Sequence, residues 1–563
     1  RGLGDVYKRQ ASDIPYFAYF FKHINSSIFE WFGYAGTTAG MILGESAYYL
    51  SIGLFLLFLA GFIVWLVCLS RYFHRRSLTI SASFPFWKRG VVVLVGACLI
   101  GLCIFGIRGR TGYNPIKVSA AYFCQDAFLN QLGVSPTFNL LTSVMDDMRP
   151  ENKYLHLMDE QEAITKAQAL LNRQGEVAVS PLAVYRHASK ADSVQQGRPN
   201  VVLIMMESMS SKLMKHFGQS ETLTPFLDSL YTRSISFRNF YSAGIHTNHG
   251  LYATLYSFPA MMKRNLMKGS VIPRYSGLPT VLKENGYYNL FFMTHEGQYD
   301  NMNAFFRTNG YDEVFSQENY PADKVVNSFG VQDDFLYDYA IPVLNQRAAT
   351  GEPFFATLLS ISNHPPYVIP PFFHPKTSEP EMQIVEYADW ALRQFFEEAR
   401  KQPWFDNTIF VLEGDHGKLV GDAECELPES YNHIPLMIYS NRIQPEEKTA
   451  FGGQVDIQPT ILGLLNIDYL QNNFGVDLLK EERPCMFYTA DNMVVGRNDT
   501  LLYLYNYETQ QELTYHIGNG KLNAVPMDDS FLPLKEYSFS MLQSAEFLVK
   551  HGKTVNSVPF TQQ

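Results

Sequence analysis

Two long apolar runs, each ending in a carboxylate, are the strongest features in the pattern of hydrophobic and polar positions. The first is Asn200–Glu207, NVVLIMME. The second is Asn407–Glu413, NTIFVLE, which is followed by Gly414-Asp415-His416-Gly417. Continuous apolar runs of this length, bounded by polar residues, are typical of strands that are buried on both faces of a parallel sheet. We therefore predict two central strands here.

Strand and helix signals alternate in the region that begins at Asn200. Residues 223–231 predict a helix with Pro225 at its first position, and residues 354–361 and 434–439 predict further buried strands. Alternation of this kind indicates an α/β fold, an α/β/α sandwich whose largely parallel sheet is covered by helices on both faces.

The pattern changes after about Cys485. Short apolar runs at residues 500–505 and 512–517 predict a small antiparallel sheet, and residues 531–550 predict a terminal helix. We expect this sheet and helix to complete the same domain.

Two uncharged apolar stretches lie far upstream, at about residues 48–69 and 90–107. A bilayer span needs ~20 apolar residues, so both are predicted to be transmembrane helices. The segment between them is basic and contains Arg71, Arg75, Arg76, Lys88 and Arg89. The positive-inside rule places that segment in the cytoplasm, and everything after the second span on the outer side of the membrane.

This patterning divides the chain into five segments. Residues 1–10 lack continuity with the rest of the chain and are expected to be a non-native leader. Residues 11–110 form the predicted membrane region, in which 11–47 is expected to be an interfacial or periplasmic helix and, less readily, a damaged span. The remaining segments are a helical linker at 111–195, a catalytic domain at 196–484, and its small sheet and helix at 485–563.

Composition adds limits to this organisation. Aromatic residues make up 14% and charged residues only 18% of the chain, which fits a membrane portion or a broad apolar interior. The net charge of -10, without a dominant basic patch, argues against a nucleic-acid partner. The six cysteines have no zinc-finger or disulfide-framework spacing, and a Cys425–Cys485 bridge stays open.

Glu207, Asp415 and His416 are the first candidates for chemistry. The carboxyl ends of parallel strands meet at one sheet edge, where ligands bind in open α/β sheets. Carboxylates and an imidazole are hard and borderline ligands for a divalent metal. An isolated Asp-His pair usually means little, but after a buried strand and opposite Glu207 it favours a metal site.

Thr247 is the candidate nucleophile. It lies in the small-residue turn Ser242–Gly250, just before a helical pattern. A hydroxyl at a helix start is most often an N-cap. Against that interpretation, Gly244 and Gly250 permit close backbone approach, and free helix amides suit a phosphate. A threonine alkoxide would need a metal or a base to form near neutral pH.

Three histidines fall just beyond predicted strands or in short loops of the same domain: His295, His364 and His433. Each could be a structural histidine. The presence of three histidines on the loops of one domain indicates that at least one of them binds a phosphate group of the substrate.

These motifs together resemble the lipoteichoic-acid synthase group of membrane-bound phosphotransferases, in the alkaline-phosphatase and sulfatase superfamily. The resemblance rests on the membrane spans and on five motifs: residues 200–208, the Thr247 turn, residues 362–364, residues 414–417 and residues 454–460. It implies an alkaline-phosphatase-like fold. It also implies that spans upstream of this sequence are missing, since the group typically has five.

The resemblance further implies a site and a reaction. One divalent metal, Mn²⁺ or Zn²⁺, would be held by Glu207, Thr247, Asp415 and His416. Thr247 would carry a phospho-alcohol group covalently, and His364 with His295 would bind the phosphate oxygens. The expected activity is phosphoglycerol-type transfer, on the outer face of the cell membrane, from a phospholipid donor to a glycan or lipid acceptor.

Two departures from the group keep alternatives open. Tyr299–Met302 stands where the polymerases have an aromatic-Asn-Arg stretch, so recognition of glycerol phosphate is not implied. The sulfatase signature, Cys or Ser followed by Pro and Arg, is absent around Thr247, which disfavours sulfate-ester hydrolysis. The alternatives are a phosphoethanolamine transferase, a phosphodiesterase or sulfatase-type hydrolase, and a degenerate binding module, which the intact ligand set disfavours.

Overall fold

The computed structural model describes residues 13, 23–24, 49–77, 86–112, 115–124, 127–149, 154–171, 185–188, 198–269, 272–518 and 520–555. The chain falls into two compact units, one of residues 1–150 with 269–271 and one of residues 151–268 with 272–563. The predicted leader at 1–10 and nearly all of the segment 11–47 lie outside the described residues.

The first unit contains four helices in its described part: α1 Tyr49–Ser77, α2 Phe86–Arg108, α3 Ala127–Leu132 and α4 Pro136–Asp147. Within α2, Gly90–Arg108 has a mean hydropathy of 2.8 and is long and apolar enough to cross a membrane. It is the one helix of the described residues that meets this test, whereas α1 holds the shorter apolar stretch Leu56–Tyr72. Both predicted spans are thus helical, and a membrane crossing by α1 stays a prediction.

The second unit contains nine helices and fifteen strands in its described part. The helices are α5 Glu160–Leu171, α6 Pro225–Tyr231, α7 Thr247–Tyr256, α8 Leu278–Glu284, α9 Met302–Thr308, α10 Asp333–Ala348, α11 Pro380–Ala399, α12 Ile457–Leu464 and α13 Leu532–Lys550. The strands are β1 Tyr185–Ala188, β2 Asn200–Met206, β3 Ile235–Tyr241, β4 Tyr288–Met293, β5 Glu313–Phe315, β6 Phe354–Leu359, β7 Thr408–Gly414, β8 Leu436–Tyr439, β9 Glu446–Gly453, β10 Tyr469–Asn472, β11 Met486–Thr489, β12 Met493–Arg497, β13 Leu501–Asn506, β14 Gln511–Gly518 and β15 Lys521–Val525.

Eight strands form the central sheet, in the order β5-β4-β6-β2-β7-β8-β3-β9. Strand β2 is parallel to β6 and to β7, as the two apolar runs predict. The exception is β8, which is antiparallel to both of its neighbours. Two antiparallel pairings restore the direction, so β3 is parallel to β7. The expected mostly parallel sheet is therefore confirmed.

The core lies on both faces of this sheet, which explains the unbroken apolar runs. Every residue of β2 is buried. Because side chains alternate along a strand, Val202, Ile204 and Met206 share one face, where they join a buried cluster with residues of α6, α10 and α11. Val201, Leu203 and Met205 share the opposite face and are equally buried. The layering is that of an α/β/α sandwich.

The C-terminal region forms the expected separate antiparallel sheet, in the order β11-β12-β13-β14-β15. Helix α13 packs on this sheet and on α5, whose apolar side buries Ala163, Ile164 and Ala167. Helix α5, which the sequence assigns to the linker, is therefore part of the second unit.

Candidate metal centre

Glu207 and Asp415 lie close together because they follow the ends of two neighbouring strands. Met206, the last residue of β2, pairs with Gly414, the last residue of β7, so the carboxylates that come next lie side by side. His416 comes directly after Asp415 along the chain. Among the described residues, Glu207, Asp415 and His416 are the one group of three whose ligand atoms all lie within 4.8 Å of one another. The three residues singled out from strand ends are therefore brought together.

Carboxylate oxygens and an imidazole nitrogen of this cluster face one another. His416 Nε2 lies 3.6 Å from Asp415 Oδ2 and 3.8 Å from Glu207 Oε1. His416 Nδ1 lies 2.7 Å from the carbonyl oxygen of Gly417, which leaves Nε2 free to bind a cation. Asp415 Oδ2 is buried and has no hydrogen-bond partner among the described residues. An orphaned carboxylate oxygen beside an imidazole fits the donor set of a divalent metal.

The electrostatics of the cluster favour a cation. Burial, together with the charge of Asp415, raises the pKa of Glu207 well above its usual range. Two buried carboxylates without a counter-charge repel each other and lose hydration, so ionising both is unfavourable. A divalent cation between them would offset both costs. The residues present therefore fit one metal ion, and its identity is not fixed by this geometry.

Thr247 lies at the rim of the cluster. It is the first residue of α7, and the N-cap position is taken by His246. The Thr247 hydroxyl donates to Glu207 Oε2 at 3.4 Å. The side chain thus points to a candidate metal ligand from the start of a helix, where backbone N–H groups and the helix dipole favour an anion.

Helix α7 is fixed against the metal-binding loop at short range. A Cβ atom on Gly250 would lie 2.3 Å from the carbonyl oxygen of Asp415, so only glycine fits there. Gln454 donates to the carbonyl oxygens of Gly414 and Asp415 at 3.1 and 2.7 Å, and accepts from the N–H of Ala243 at 2.9 Å. These contacts tie the threonine turn to the end of β7.

The loop that carries His364 is attached to the same edge. Asp333 accepts from the N–H groups of Ile361 and Ser362 at 2.8 and 3.0 Å. Asn363 donates to the carbonyl oxygens of Glu207 and Ser208, both at 3.2 Å. His364 therefore comes directly after a segment that is bonded to the metal-binding strand end, and its ring centroid lies 4.0 Å from that of Phe329.

His295 and His433 occupy separate surroundings. The buried His295 ring lies 4.7 Å from Tyr299 by ring centroids, and burial lowers its pKa. His433 stacks on Tyr241 at 5.1 Å, its Nε2 lies 2.8 Å from the carbonyl oxygen of Arg238, and burial lowers its pKa too. Neither histidine belongs to the three-residue cluster.

The structure also shows polar contacts that the sequence patterns do not reveal. His246, next to Thr247, has its Nε2 2.7 Å from Asp491 Oδ1, on the hairpin between β11 and β12. Lys418 donates to Asn363 Oδ1 at 2.8 Å. Ser208 touches both carboxylates of the cluster. No periodicity or motif links residues so far apart, although the position of Lys418 just after the Asp-His pair is a usable local signal.

Comparison with known sequences finds a family model and curated relatives that match this chain. The Sulfatase family model matches residues 199–467. Lipoteichoic acid synthase 2 of Bacillus subtilis is 24% identical over 315 residues, 50% of this chain and 47% of that protein. Lipoteichoic acid synthase of Staphylococcus aureus (strain USA300) is 24% identical over 327 residues, 50% of this chain and 48% of that protein. The chain spans about half the length of the curated relatives it matches.

Solved structures agree on the fold. A protein of the alkaline phosphatase superfamily from Vibrio parahaemolyticus superposes with a TM-score of 0.64 at 25% identity, over 71% of this chain and 98% of its own. The lipoteichoic acid synthase LtaP from Listeria monocytogenes superposes with a TM-score of 0.54 at 21% identity, over 62% of this chain and 92% of its own. The alkaline-phosphatase-like fold expected from the resemblance is confirmed.

Proposed function

We propose, from the premise that residues 199–467 form a sulfatase-family domain of the alkaline-phosphatase superfamily, that this protein is a metal-dependent phosphotransferase. Its substrates would be a phospholipid donor and a glycan or lipid acceptor. The observation that carries the proposal is the Thr247 hydroxyl, 3.4 Å from Glu207 at the rim of the Glu207–Asp415–His416 cluster.

The metal would be held by Glu207, Thr247, Asp415 and His416. A bound Mn²⁺ or Zn²⁺ lowers the pKa of a coordinated hydroxyl and neutralises charge on a phosphoryl group. The protein itself supplies the orientation, because α7 is locked against the end of β7 through Gly250 and Gln454.

The first half-reaction transfers the head group to the enzyme. The Thr247 oxygen attacks the donor phosphorus, and the bond from phosphorus to the diacylglycerol oxygen breaks. The proton released by the Thr247 hydroxyl goes to the leaving oxygen, so diacylglycerol leaves as the alcohol and Thr247 carries the phospho-alcohol. N–H groups at the start of α7 stabilise the negative charge on the phosphate, and we propose that His364, His295 and His433 contribute to binding its oxygens.

The second half-reaction restores Thr247. An acceptor hydroxyl attacks the same phosphorus, the phosphorus–Thr247 bond breaks, and the acceptor proton returns to the threonine oxygen. Use of one site for both steps is supported by the single cluster within the described residues.

We further propose that the enzyme acts at the outer face of the cell membrane. Helix α2 supports this, since Val93, Leu99 and Ile107 leave 71%, 56% and 80% of their surfaces exposed, and an apolar surface of this kind suits lipid. A membrane-bound donor is consistent with a catalytic domain anchored beside it.

A second candidate, phosphoethanolamine transfer, is favoured by one observation. Asn248, next to Thr247, donates at 3.3 Å to Asp300, whose carboxylate lies 2.8 Å from Lys268 Nζ. An acidic group near the nucleophile could pair with an ammonium head group if Lys268 moved away. A hydrolase of phosphodiesterase or sulfatase type on the same fold is the third candidate.

The experiment is a donor comparison. The full-length protein, reconstituted with Mn²⁺, is given vesicles of phosphatidylglycerol or of phosphatidylethanolamine, and diacylglycerol release is measured. We expect release from phosphatidylglycerol, and none from either lipid with Thr247→Ala. Release from phosphatidylethanolamine alone would establish the second candidate. Release from neither lipid, together with hydrolysis of simple phosphodiesters, would establish the hydrolase.

A further inference from the structure

Ser208 has an unusual backbone conformation at the edge of the candidate metal centre. Its φ is 50°, in the left-handed region, although it is neither glycine nor asparagine. It is buried, with 7% of its surface exposed. L-residues with a Cβ rarely adopt this conformation, and where they do, the surrounding contacts must hold them there.

This conformation lets one residue contact both carboxylates of the cluster. The Ser208 N–H donates to Asp415 Oδ1 at 2.8 Å, and the Ser208 hydroxyl donates to Glu207 Oε1 at 2.7 Å. One oxygen of each carboxylate is thereby engaged by Ser208. The two remaining oxygens each face another member of the site, and Glu207 Oε1 itself also lies 3.8 Å from His416 Nε2. Asp415 Oδ2 lies 3.6 Å from His416 Nε2, and Glu207 Oε2 accepts from Thr247.

The carbonyl oxygen of Ser208 is hydrogen-bonded to residues other than the candidate metal ligands. Asn363 Nδ2 and the N–H of Ser210 both donate to the Ser208 oxygen, each at 3.2 Å. Asn363 is itself oriented by Lys418, whose Nζ donates to Asn363 Oδ1 at 2.8 Å. All three polar groups of Ser208 are therefore engaged, and its N–H and hydroxyl are both bonded to candidate metal ligands.

A second serine, Ser257, provides a comparison that can distinguish a structural role of Ser208 from a positioning role. Ser257 has a φ of 55° and is fully buried, and its hydroxyl donates to Gln458 Oε1 at 3.1 Å. Ser257 thus matches Ser208 in strain, burial and hydrogen bonding, but its hydroxyl contacts an amide outside the cluster. Effects of strain alone should appear equally at both positions.

We propose that Ser208 is a positioning residue that determines which oxygen of Glu207 and which of Asp415 faces the metal. The proposal rests on the proposed function, because it presumes that the cluster binds a cation. Residues that hydrogen-bond to metal ligands typically contribute ~10- to 100-fold to metal affinity. Glycine would relieve the strain at position 208, so the structure retains serine at a cost in stability.

The test uses Ser208→Gly and Ser208→Ala, with Ser257→Gly and Ser257→Ala as matched controls, in the full-length protein. Dissociation constants for Mn²⁺ and Zn²⁺ are measured by chelator competition, and the thermal unfolding midpoint is measured without metal. We expect both Ser208 variants to bind metal ~10-fold more weakly or worse. Ser208→Gly and Ser257→Gly should both gain stability without metal, whereas Ser257→Gly keeps the wild-type affinity.

Activity at saturating metal gives a second readout. Excess Mn²⁺ should restore most of the turnover of Ser208→Gly, because its four proposed ligands are intact. Wild-type metal affinity in Ser208→Gly, or an equal loss in Ser257→Gly, would overturn the positioning role and leave the metal centre standing. If the wild-type protein binds neither cation, the proposed metal centre fails, and the role of Ser208 fails with it.

Discussion

At the scale of single residues, two buried carboxylates near the end of β7, Asp415 and Glu413, have different surroundings. Asp415 has its free oxygen 3.6 Å from His416 Nε2. Glu413 points elsewhere, and its Oε1 accepts from the Thr254 hydroxyl at 2.6 Å. Burial raises the pKa of Glu413 well above its usual range.

This contrast gives a prediction about metal binding. Asp415→Asn replaces a ligand oxygen by a group without charge, so metal affinity should fall by more than about 100-fold and activity should be lost, because even partners of metal ligands are worth ~10- to 100-fold. Glu413→Gln should keep metal and activity, since Glu413 contacts Thr254 outside the three-residue cluster and the amide has a similar shape. Elemental analysis of both purified variants checks this. Full occupancy in Asp415→Asn would show that the cluster is not a metal site.

The sequence is sufficient to predict that Glu207, Asp415 and His416 come together, because all three stand at the ends of long apolar strands. It does not predict Ser208, because no hydrophobic pattern reports a positive φ at a serine. The contact between His246 and Asp491 cannot be predicted from the sequence either, since it depends on the position of a hairpin of the small sheet in the folded structure. Thr247 is predicted from its glycine-rich turn, and its role as nucleophile stays a prediction.

At the scale of elements, most strands and helices of the second unit agree with the apolar pattern, and their orientation is less predictable. Residues 434–439 are predicted as a strand, and β8 occupies 436–439 of them, antiparallel to β7 and β3. A fully buried strand is apolar on both faces whichever way it runs, so its sequence carries no signal of direction.

Packing of α11 on α6 depends on one buried carboxylate. Asp389 of α11 accepts from the N–H groups of Phe226 and Leu227, both at 2.9 Å, in the first turn of α6. Burial raises the pKa of Asp389 to about 7. The folded state therefore keeps this proton at a pH where the unfolded chain, with an ordinary aspartate pKa, has already released it.

This shift leads to a prediction about pH. Between the ordinary aspartate pKa and pH 7, the folded state binds more protons than the unfolded state, so the stability that Asp389 contributes falls as pH rises. Asp389→Asn removes this titration and also one acceptor, so it should cost ~1–3 kcal/mol while flattening the pH dependence. Unfolding midpoints of the detergent-solubilised protein at several values from pH 5 to pH 8 check this. Asp499→Asn, at an exposed position, is the control, and parallel curves for wild type and Asp389→Asn would contradict the prediction.

At the scale of the whole molecule, a helix apolar enough to cross a membrane and a region that the Sulfatase family model matches occur in one chain. The division into membrane region, catalytic domain and small sheet stays a prediction. The relation of the first unit to a bilayer is inferred from composition, because α2 is apolar from Gly90 onwards and α1 over the shorter stretch Leu56–Tyr72.

Membrane topology is the prediction that belongs to this scale. If the basic segment between α1 and α2 is cytoplasmic, residues 111–563 lie on the outer side of the membrane. Reporter fusions after Gly109 and within residues 77–85 should give opposite signals, with the downstream fusion active only outside the cytoplasm. A cytoplasmic signal from the fusion after Gly109 would reverse the orientation and remove the catalytic domain from the outer face.

The central claim is that Thr247 is the covalent nucleophile, and mass spectrometry of the Thr247 peptide after incubation with phospholipid tests it most directly. We predict a phospho-alcohol adduct on Thr247 in the wild type. Thr247→Ala should fold, because the N-cap position of α7 is His246 and not Thr247, and should lose turnover by several orders of magnitude. Thr247→Ser should keep some activity because it retains the hydroxyl. Near-normal turnover by Thr247→Ala, with no adduct in the wild type, would contradict the mechanism.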